Sequence, residues 1–152
     1  MVSDVKKLIL VSLVVTLTLA IVAGQSLYQT KSTHIIIERV LLTVDLAETP
    51  AAQERGLSGR SSMPSDYGML FIFNDENYWG FWMSDMRFPL DIIWFNSNRQ
   101  AVFIESNLSP CSPQNCPIYT PTARARYVLE VNAGFVAAHQ ITYGTSFSFL
   151  GL

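Results

Sequence analysis

The stretch Trp79-Gly-Phe-Trp-Met-Ser-Asp-Met-Arg-Phe-Pro-Leu-Asp-Ile-Ile-Trp-Phe95 is the most informative feature of this chain. It holds all three tryptophans and ends in a nearly unbroken apolar run, which predicts a strand in the core. Strand alternation puts Asp91 on one face with Ile93 and Phe95. Because a buried carboxylate is costly unless it is paired, Asp91 is the residue in this stretch that most needs a partner.

Further runs rich in β-branched and aromatic residues predict a mainly β fold. The predicted strands lie at 34–46 with a bend at Glu38-Arg39, 69–73, 79–83, 90–95, 101–108, 127–131 and 147–150, with turns at 74–77 and 96–99. Thr49 predicts the N-cap of a short helix that starts at Pro50 and stops at Gly56, and 135–139 predicts one helical turn. The fold class is therefore mainly β (α+β): a small single-domain barrel or sandwich with one or two short helices.

The N-terminus predicts a targeting segment of residues 1–24. Two lysines precede an apolar run at 8–23, which as a helix would span ~24 Å, less than a ~30 Å hydrocarbon core. Val22-Ala23-Gly24 offers small residues for a signal peptidase. The segment is either a cleaved signal peptide or an uncleaved membrane anchor. A polar linker at 25–34 and a β domain at 35–152 follow, and the protein is expected to be exported, either periplasmic or extracellular.

The two cysteines agree with export. Cys111 and Cys116 enclose four residues in a proline-rich loop, and such a pair forms a disulfide in an oxidising compartment. A redox dithiol and a metal site are the alternatives. The net charge of −2 provides no basic field for nucleic acid, so nucleic-acid binding is not expected.

Several motifs occur in a fixed order along the chain. They are Glu48-Thr-Pro with Glu54-Arg-Gly-Leu57, Gly68-Met-Leu-Phe71, Phe81-Trp-Met83, Pro89-Leu-Asp-Ile-Ile93, Cys116-Pro and Tyr127-Val-Leu-Glu-Val-Asn-Ala-Gly134. In this order and spacing the chain resembles the DUF192 (UPF0127) family over residues 40–149. The resemblance implies a compact, β-rich exported protein of bacteria or archaea, without an assigned biochemical activity.

The chain departs from the family pattern at two motifs. The family usually reads Gly-Leu-Met-x-Arg, whereas this chain has Gly56-Leu-Ser-Gly-Arg60. The family usually reads Phe-Trp-Met-Lys-Asn-Thr, whereas this chain has Phe81-Trp-Met-Ser-Asp-Met86. If the family's polar groups bind a ligand there, this protein binds a different one or none.

Arg60 matches the family's arginine and is predicted to pair with Asp91. The pair has three readings: a structural salt bridge, part of a cleft for a polar ligand, or, for Asp91, a general acid or base. Glu130 and Asn132 share one face of their strand, which is either solvated or turned into a pocket where they would bind a polar ligand. The candidate ligand-binding residues are Arg60, Trp82, Met83, Asp91, Glu130 and Asn132.

Trp82, Met83 and Met86 raise a copper alternative, since thioethers suit Cu(I); Met63, Met69 and His139 could contribute. Core packing is the alternative for these methionines, and no metal site or cofactor is assigned. No nucleophile elbow, His-Glu-x-x-His or phosphate loop occurs in the chain, so no catalytic residues are assigned. The sequence favours a non-catalytic exported domain that binds a small polar ligand or an envelope protein; an uncharacterised hydrolase is the remaining alternative.

Overall fold

The computed structural model describes residues 31–150, which form seven strands and two short α-helices. The elements are β1 (Ser32–Ile37), β2 (Val40–Ala47), α1 (Pro50–Arg55), β3 (Tyr67–Asn77), β4 (Leu90–Phe95), β5 (Ala101–Leu108), a 3-10 turn (Pro113–Asn115), β6 (Ala125–Asn132), α2 (Phe135–Ala138) and β7 (Phe147–Phe149). The predicted signal or anchor at 1–24, and the linker up to residue 30, lie outside the described residues. β1 starts at Ser32, inside the predicted linker, because its residues pair antiparallel with β2, from Ser32 with Asp45 to Ile37 with Val40.

The strands form one sheet in the order β5-β4-β6-β3-β2-β1-β7. Neighbours pair antiparallel except β2 and β3, which run parallel and are connected through α1. The sheet curls so that its two edges approach each other at one end: Ala101 N donates to Thr145 O at 2.8 Å, and Phe147 N donates to Arg99 O at 3.2 Å. The result is a half-barrel, which confirms the predicted small β-rich fold.

Both faces of the sheet are buried, each in its own apolar cluster. The first cluster includes Ile93 and Phe95 together with Phe135 of α2 and Phe147 of β7. The second lies on the opposite face, where Trp94 and its neighbours are covered by α1 and by irregular segments at 78–89 and 109–124. All six residues of β4 are buried, as the apolar run predicts. The second cluster, called here the outer core, holds all the features of the candidate site.

Two predictions about the segment before β4 are wrong. Residues 74–77 continue β3 and do not form a turn. Residues 79–83 form no strand; Phe81 and Tyr119 merely exchange two backbone hydrogen bonds, at 2.9 and 2.8 Å. The next hydrogen-bonded positions on the partner would be Pro117 and Pro121, which have no N–H to donate. The segment therefore stays irregular and free to shape a surface.

Within residues 31–150, no helix has the length and apolar character needed to cross a membrane.

Candidate functional site

A cavity of about 250 Å³ opens into the outer core between the end of α1 and the segment 79–86. Five of its lining residues are aromatic: Phe71, Phe73, Trp79, Phe81 and Trp82. Its polar lining includes Glu54 and Arg55 of α1, Ser58, Ser84 and Glu130. The cavity is larger than the ~150 Å³ that holds a benzene molecule in an engineered protein core.

Local hydrogen bonds fix α1 as one wall of the cavity. Ala52 N donates to Thr49 Oγ1 at 3.2 Å, which is the predicted N-cap. Gln53 Nε2 donates to Ala47 O at 3.2 Å and to Ile72 O at 2.9 Å, so α1 is tied to β2 and β3. The helix then stops at Gly56, as predicted, with a positive φ of 50° that favours glycine.

Aromatic contacts fix the opposite wall. Phe73 and Trp79 stack with ring centroids 4.0 Å apart, and Phe71 meets Phe81 edge-on at 4.8 Å. The buried Trp94 donates from Nε1 to the backbone oxygen of Trp79 at 2.9 Å. These contacts join the rings into one packed wall.

Two buried polar atoms of the lining residues lack a hydrogen-bond partner among residues 31–150: Trp79 Nε1 and Glu130 Oε2. Glu130 is 5 % exposed, and its strand neighbours Met69 and Ile92 provide no polar group. Burial raises the pKa of Glu130 to about 8, although the charge of Arg60 opposes this shift. A perturbed carboxyl group in a cleft is typical of functional sites.

Gly56, at the end of α1, lies beside this carboxyl group. A Cβ atom at position 56 would lie 3.4 Å from Phe71 Cζ and 3.9 Å from Glu130 Oε2. Both distances are ordinary van der Waals contacts, so the end of α1 lies directly beside Glu130.

Arg60 pairs with Asp45, so the predicted Arg60–Asp91 pair is wrong. Arg60 Nη2 lies 2.6 Å from Asp45 Oδ2, and Asp45 Oδ1 accepts hydrogen bonds from Ser32 and Tyr67. Burial favours a higher pKa for Asp45, but hydrogen bonds from Ser32, Tyr67 and Arg60 outweigh it, so the pKa of this carboxyl is lowered. Burial, together with the hydrogen bond that its hydroxyl donates to Asp45, raises the pKa of Tyr67.

Asp91 lies on the other face of the sheet, fully buried beside the first core. Its Oδ1 accepts from Asn107 N and its Oδ2 from Val136 N, both at 2.8 Å. Asn107 has a positive φ of 56°, where β5 bulges opposite Asp91. The carboxylate thus accepts hydrogen bonds from backbone N–H groups in the bulge of β5 and in the first turn of α2. These two donors are its partners in place of an arginine.

The other candidate residues divide between the cavity and the core. Trp82 and Glu130 line the cavity, and Trp82 is half exposed. Met83 is fully buried in the outer core. Asn132 shares the face of Glu130, but its Nδ2 donates to Met63 O and Pro64 O at 3.0 and 2.9 Å. The structure therefore brings Trp82 and Glu130 together and leaves Arg60, Asp91 and Asn132 in other hydrogen-bond networks.

Sequence reasoning missed the role of Trp79, Phe73 and Asp45. Alternation along β2 puts Asp45 on the opposite face of the strand from Val44 and Leu46. This signal could have identified the partner of Arg60. The Phe73–Trp79 stack depends on β3 running on to residue 77, which the polar residues 74–77 concealed.

The loop that covers the outer core is closed by a disulfide. Cys111 and Cys116 are bonded, which confirms the predicted pairing. Cys111 N donates to Met83 O at 3.2 Å, and the backbone of Cys111 pairs with that of Ser84 in an isolated parallel β-bridge. The disulfide loop thus supports the segment that lines the cavity.

No group of three or more His, Cys, Asp or Glu residues able to hold a metal ion occurs within residues 31–150.

Two solved structures share this fold. A protein described as a "putative transcription regulator" from Sinorhizobium meliloti 1021 is 30 % identical, with a TM-score of 0.75, covering 82 % of this chain and 98 % of its own. A protein of unknown function from Novosphingobium aromaticivorans DSM 12444 is 27 % identical, with a TM-score of 0.72, covering 77 % and 84 %. A search of the curated proteins found no match. The DUF192 model, "Uncharacterized ACR", matches residues 33–149, and the chain belongs to that family.

Proposed function

We propose that this protein is an exported, non-catalytic binding domain whose cavity recognises a small polar ligand. The observation that carries the proposal is the pair of unpartnered atoms, Trp79 Nε1 and Glu130 Oε2, on residues that line one aromatic cavity. A few convergent polar groups in a mostly apolar cavity are the usual composition of a ligand site.

The energetic cost of these two atoms supports a binding role. A buried polar group without a hydrogen bond costs about 1–3 kcal/mol, and most buried polar groups in proteins are satisfied. A ligand that pairs with both atoms would recover this cost on binding. The aromatic wall is already packed without a ligand, and a site that needs little ordering on binding gains affinity.

Export is supported by the disulfide between Cys111 and Cys116, since such bonds persist mainly in oxidising compartments. The apolar run at 8–23 after Lys6 and Lys7 supports the same conclusion.

A hydrolase receives less support. The two histidines of the chain are His34, which is exposed on β1, and His139, which packs on Phe135 at 4.5 Å. Neither is among the residues that line the cavity, so no histidine accompanies Ser58 or Ser84 there. Glu130 would have to act alone as acid or base.

A Cu(I) site also receives less support than ligand binding. Met86 lines the cavity, whereas Met83 and Met63 pack inside the outer core. One thioether beside a carboxyl group is a poor donor set for Cu(I), which prefers several soft ligands.

Neither a nucleic acid nor an envelope protein is the favoured partner. The description of the Sinorhizobium protein as a transcription regulator does not transfer easily, because this chain has a net charge of −2 and no basic field. The exposed side chains of Tyr78, Trp82 and Ile118 would serve a protein partner if no small ligand is found.

The proposal is tested by screening small polar fragments with saturation-transfer NMR. We expect fragments that bind the wild type and lose binding to Ser84→Leu, which places a larger side chain on the cavity wall. The matched control is Ser62→Leu, the same change at an exposed loop residue, which should keep binding. If no fragment distinguishes these variants, the cavity is not a ligand site.

A further inference from the structure

The charges around the cavity leave one carboxyl group unbalanced. Glu54 and Arg55 line the cavity and carry opposite charges. Arg60, which follows α1, is paired with Asp45 at 2.6 Å. On the strands beside Glu130, the residues opposite it are Met69 and Ile92, which carry no charge. The ionised form of Glu130 therefore gives the cavity lining a net charge of −1. The charge of Arg60 acts on this carboxyl group, but Arg60 is paired with Asp45, and Glu130 Oε2 has no hydrogen-bond partner within residues 31–150.

The rest of the lining suits a cation that carries alkyl groups. Five aromatic side chains line the same cavity as Glu130, and the faces of tryptophan, tyrosine and phenylalanine attract cations. A hydrated metal ion would gain little from such a lining, whereas an alkylammonium ion gains both the ring contacts and the apolar burial. Half of the Trp82 surface remains exposed, so this ring lies at the mouth of the cavity.

Trp79 adds a second requirement. Its Nε1 can donate one hydrogen bond and cannot accept any. A ligand that reaches this atom would pair with it through an acceptor, such as a hydroxyl or carbonyl oxygen, in addition to its positive charge.

We propose that the cavity binds a small organic ammonium ion, with its charge against the Glu130 carboxylate, its alkyl groups against the aromatic rings and an oxygen accepting from Trp79 Nε1. This inference rests on the proposed function and names the ligand class of the same cavity. The ammonium group supplies the partner that the buried carboxylate lacks.

Binding of such an ion is linked to the ionisation of Glu130. Because burial raises the pKa of Glu130 to about 8, the ligand-free protein is largely protonated there at pH 6, and binding must displace this proton. Affinity should rise with pH until Glu130 is ionised. Between pH 6 and pH 8, the ionised fraction grows about fifty-fold for this pKa, and the affinity should grow by a similar factor.

The test uses two probes of the same shape. Choline is a quaternary ammonium alcohol, and 3,3-dimethylbutan-1-ol has carbon in place of its nitrogen. Both offer a hydroxyl oxygen to Trp79, and the charge of choline does not titrate, so any pH dependence belongs to the protein. In calorimetric titrations at pH 8, we expect choline to bind about tenfold tighter than the neutral alcohol or better, as a cation–π contact with a charge partner allows.

Two variants assign the effect to one carboxyl group. Glu130→Gln should weaken choline binding at pH 8 by about tenfold or more, remove its pH dependence and leave the neutral alcohol unaffected. Glu54→Gln, the same change at the other acidic residue of the lining, should keep the rise in affinity between pH 6 and pH 8.

Three results would overturn the proposal. The first is a neutral alcohol that binds as tightly as choline, which would leave the cavity a ligand site for another class of compound. The second is pH dependence that survives in Glu130→Gln or disappears in Glu54→Gln. The third is no saturable binding of choline at either pH; the fragment screen then decides separately whether the cavity binds anything.

Discussion

Among the single residues of the cavity, Glu130 is the one whose burial changes its acid–base behaviour. Burial raises its pKa to about 8 from 4.5, so between these values the folded protein holds a proton that the unfolded chain has lost. The unfolding free energy must therefore fall as pH rises through this window. We expect Glu130→Gln, which cannot ionise, to gain stability relative to wild type from pH 5 to pH 8. Urea unfolding at both pH values measures this, with the exposed Glu48→Gln as control.

If the difference in unfolding free energy between Glu130→Gln and wild type is the same at pH 5 and pH 8, burial does not raise the pKa of Glu130.

Arg60 illustrates a different single-residue role. Its pair with Asp45 is half-buried, since the arginine side chain is 33 % exposed and the aspartate 4 %. Breaking a fully buried pair costs ~3–5 kcal/mol, and exposure reduces this, so we expect Arg60→Ala to cost about 1–3 kcal/mol. Thermal unfolding measures the loss. Arg87→Ala, at an exposed arginine, should change stability little; equal effects of the two substitutions would contradict a stabilising pair.

At the scale of elements, Asp91 connects β4 to the bulge of β5 and to α2. In Asp91→Asn the amide group replaces one of the two acceptors, so one backbone N–H loses its partner at a cost of about 1–3 kcal/mol. We expect a lower melting temperature and unchanged ligand binding, because Asp91 and the cavity lie on opposite faces of the sheet. Asp75→Asn, at an exposed aspartate, is the control. A fully stable Asp91→Asn protein that no longer binds ligand would instead place Asp91 in the site.

The disulfide loop should act on the cavity wall through backbone contacts. Without the bond between Cys111 and Cys116, the loop loses about 2 kcal/mol of constraint on the chain-entropy model. In the variant with both cysteines changed to serine, we expect faster hydrogen exchange at Phe81 and Tyr119, whose amides bond to each other's carbonyls. Ser112→Ala, which keeps the disulfide, should exchange like wild type. Unchanged exchange in the double variant would mean that the loop folds independently of the wall.

At the scale of the whole molecule, two cores share one sheet. Ile93 and Trp94 are adjacent in β4 yet belong to different cores, so neither core can be lost without the other. We expect residues 31–150 to unfold in one transition. Tryptophan fluorescence reports the outer core, which holds Trp94 and, at its edge, Trp79, whereas far-ultraviolet circular dichroism reports the whole sheet. The two urea curves should coincide; separate midpoints would show that the outer core opens alone.

The sequence was sufficient for much of this architecture. The apolar run of β4, the turn at Glu38-Arg39 and the helix between Thr49 and Gly56 follow from local rules, and the structure has all three. Alternation also placed Glu130 and Asn132 on one face.

The rest depends on contacts between distant segments, which local patterns do not contain. Arg60 could have met Asp45 or Asp91. The two aspartates lie on opposite faces of the folded sheet, and no local pattern shows which face Arg60 reaches. Likewise, Pro117 and Pro121 lie on the segment that faces 79–83, and because they have no N–H they prevent a strand there. The cavity arises where that irregular segment faces α1, so no single stretch of sequence encodes it.

The most direct test of the central claim follows the indole N–H signal of Trp79 in ¹⁵N-labelled protein during titration with a fragment or with choline. A ligand in the cavity should shift this signal saturably, with a smaller effect on the buried Trp94 indole, whose Nε1 already donates to Trp79 O. The shift should be lost in Ser84→Leu and kept in Ser62→Leu. A compound that binds the protein and leaves the Trp79 signal unchanged would contradict the account.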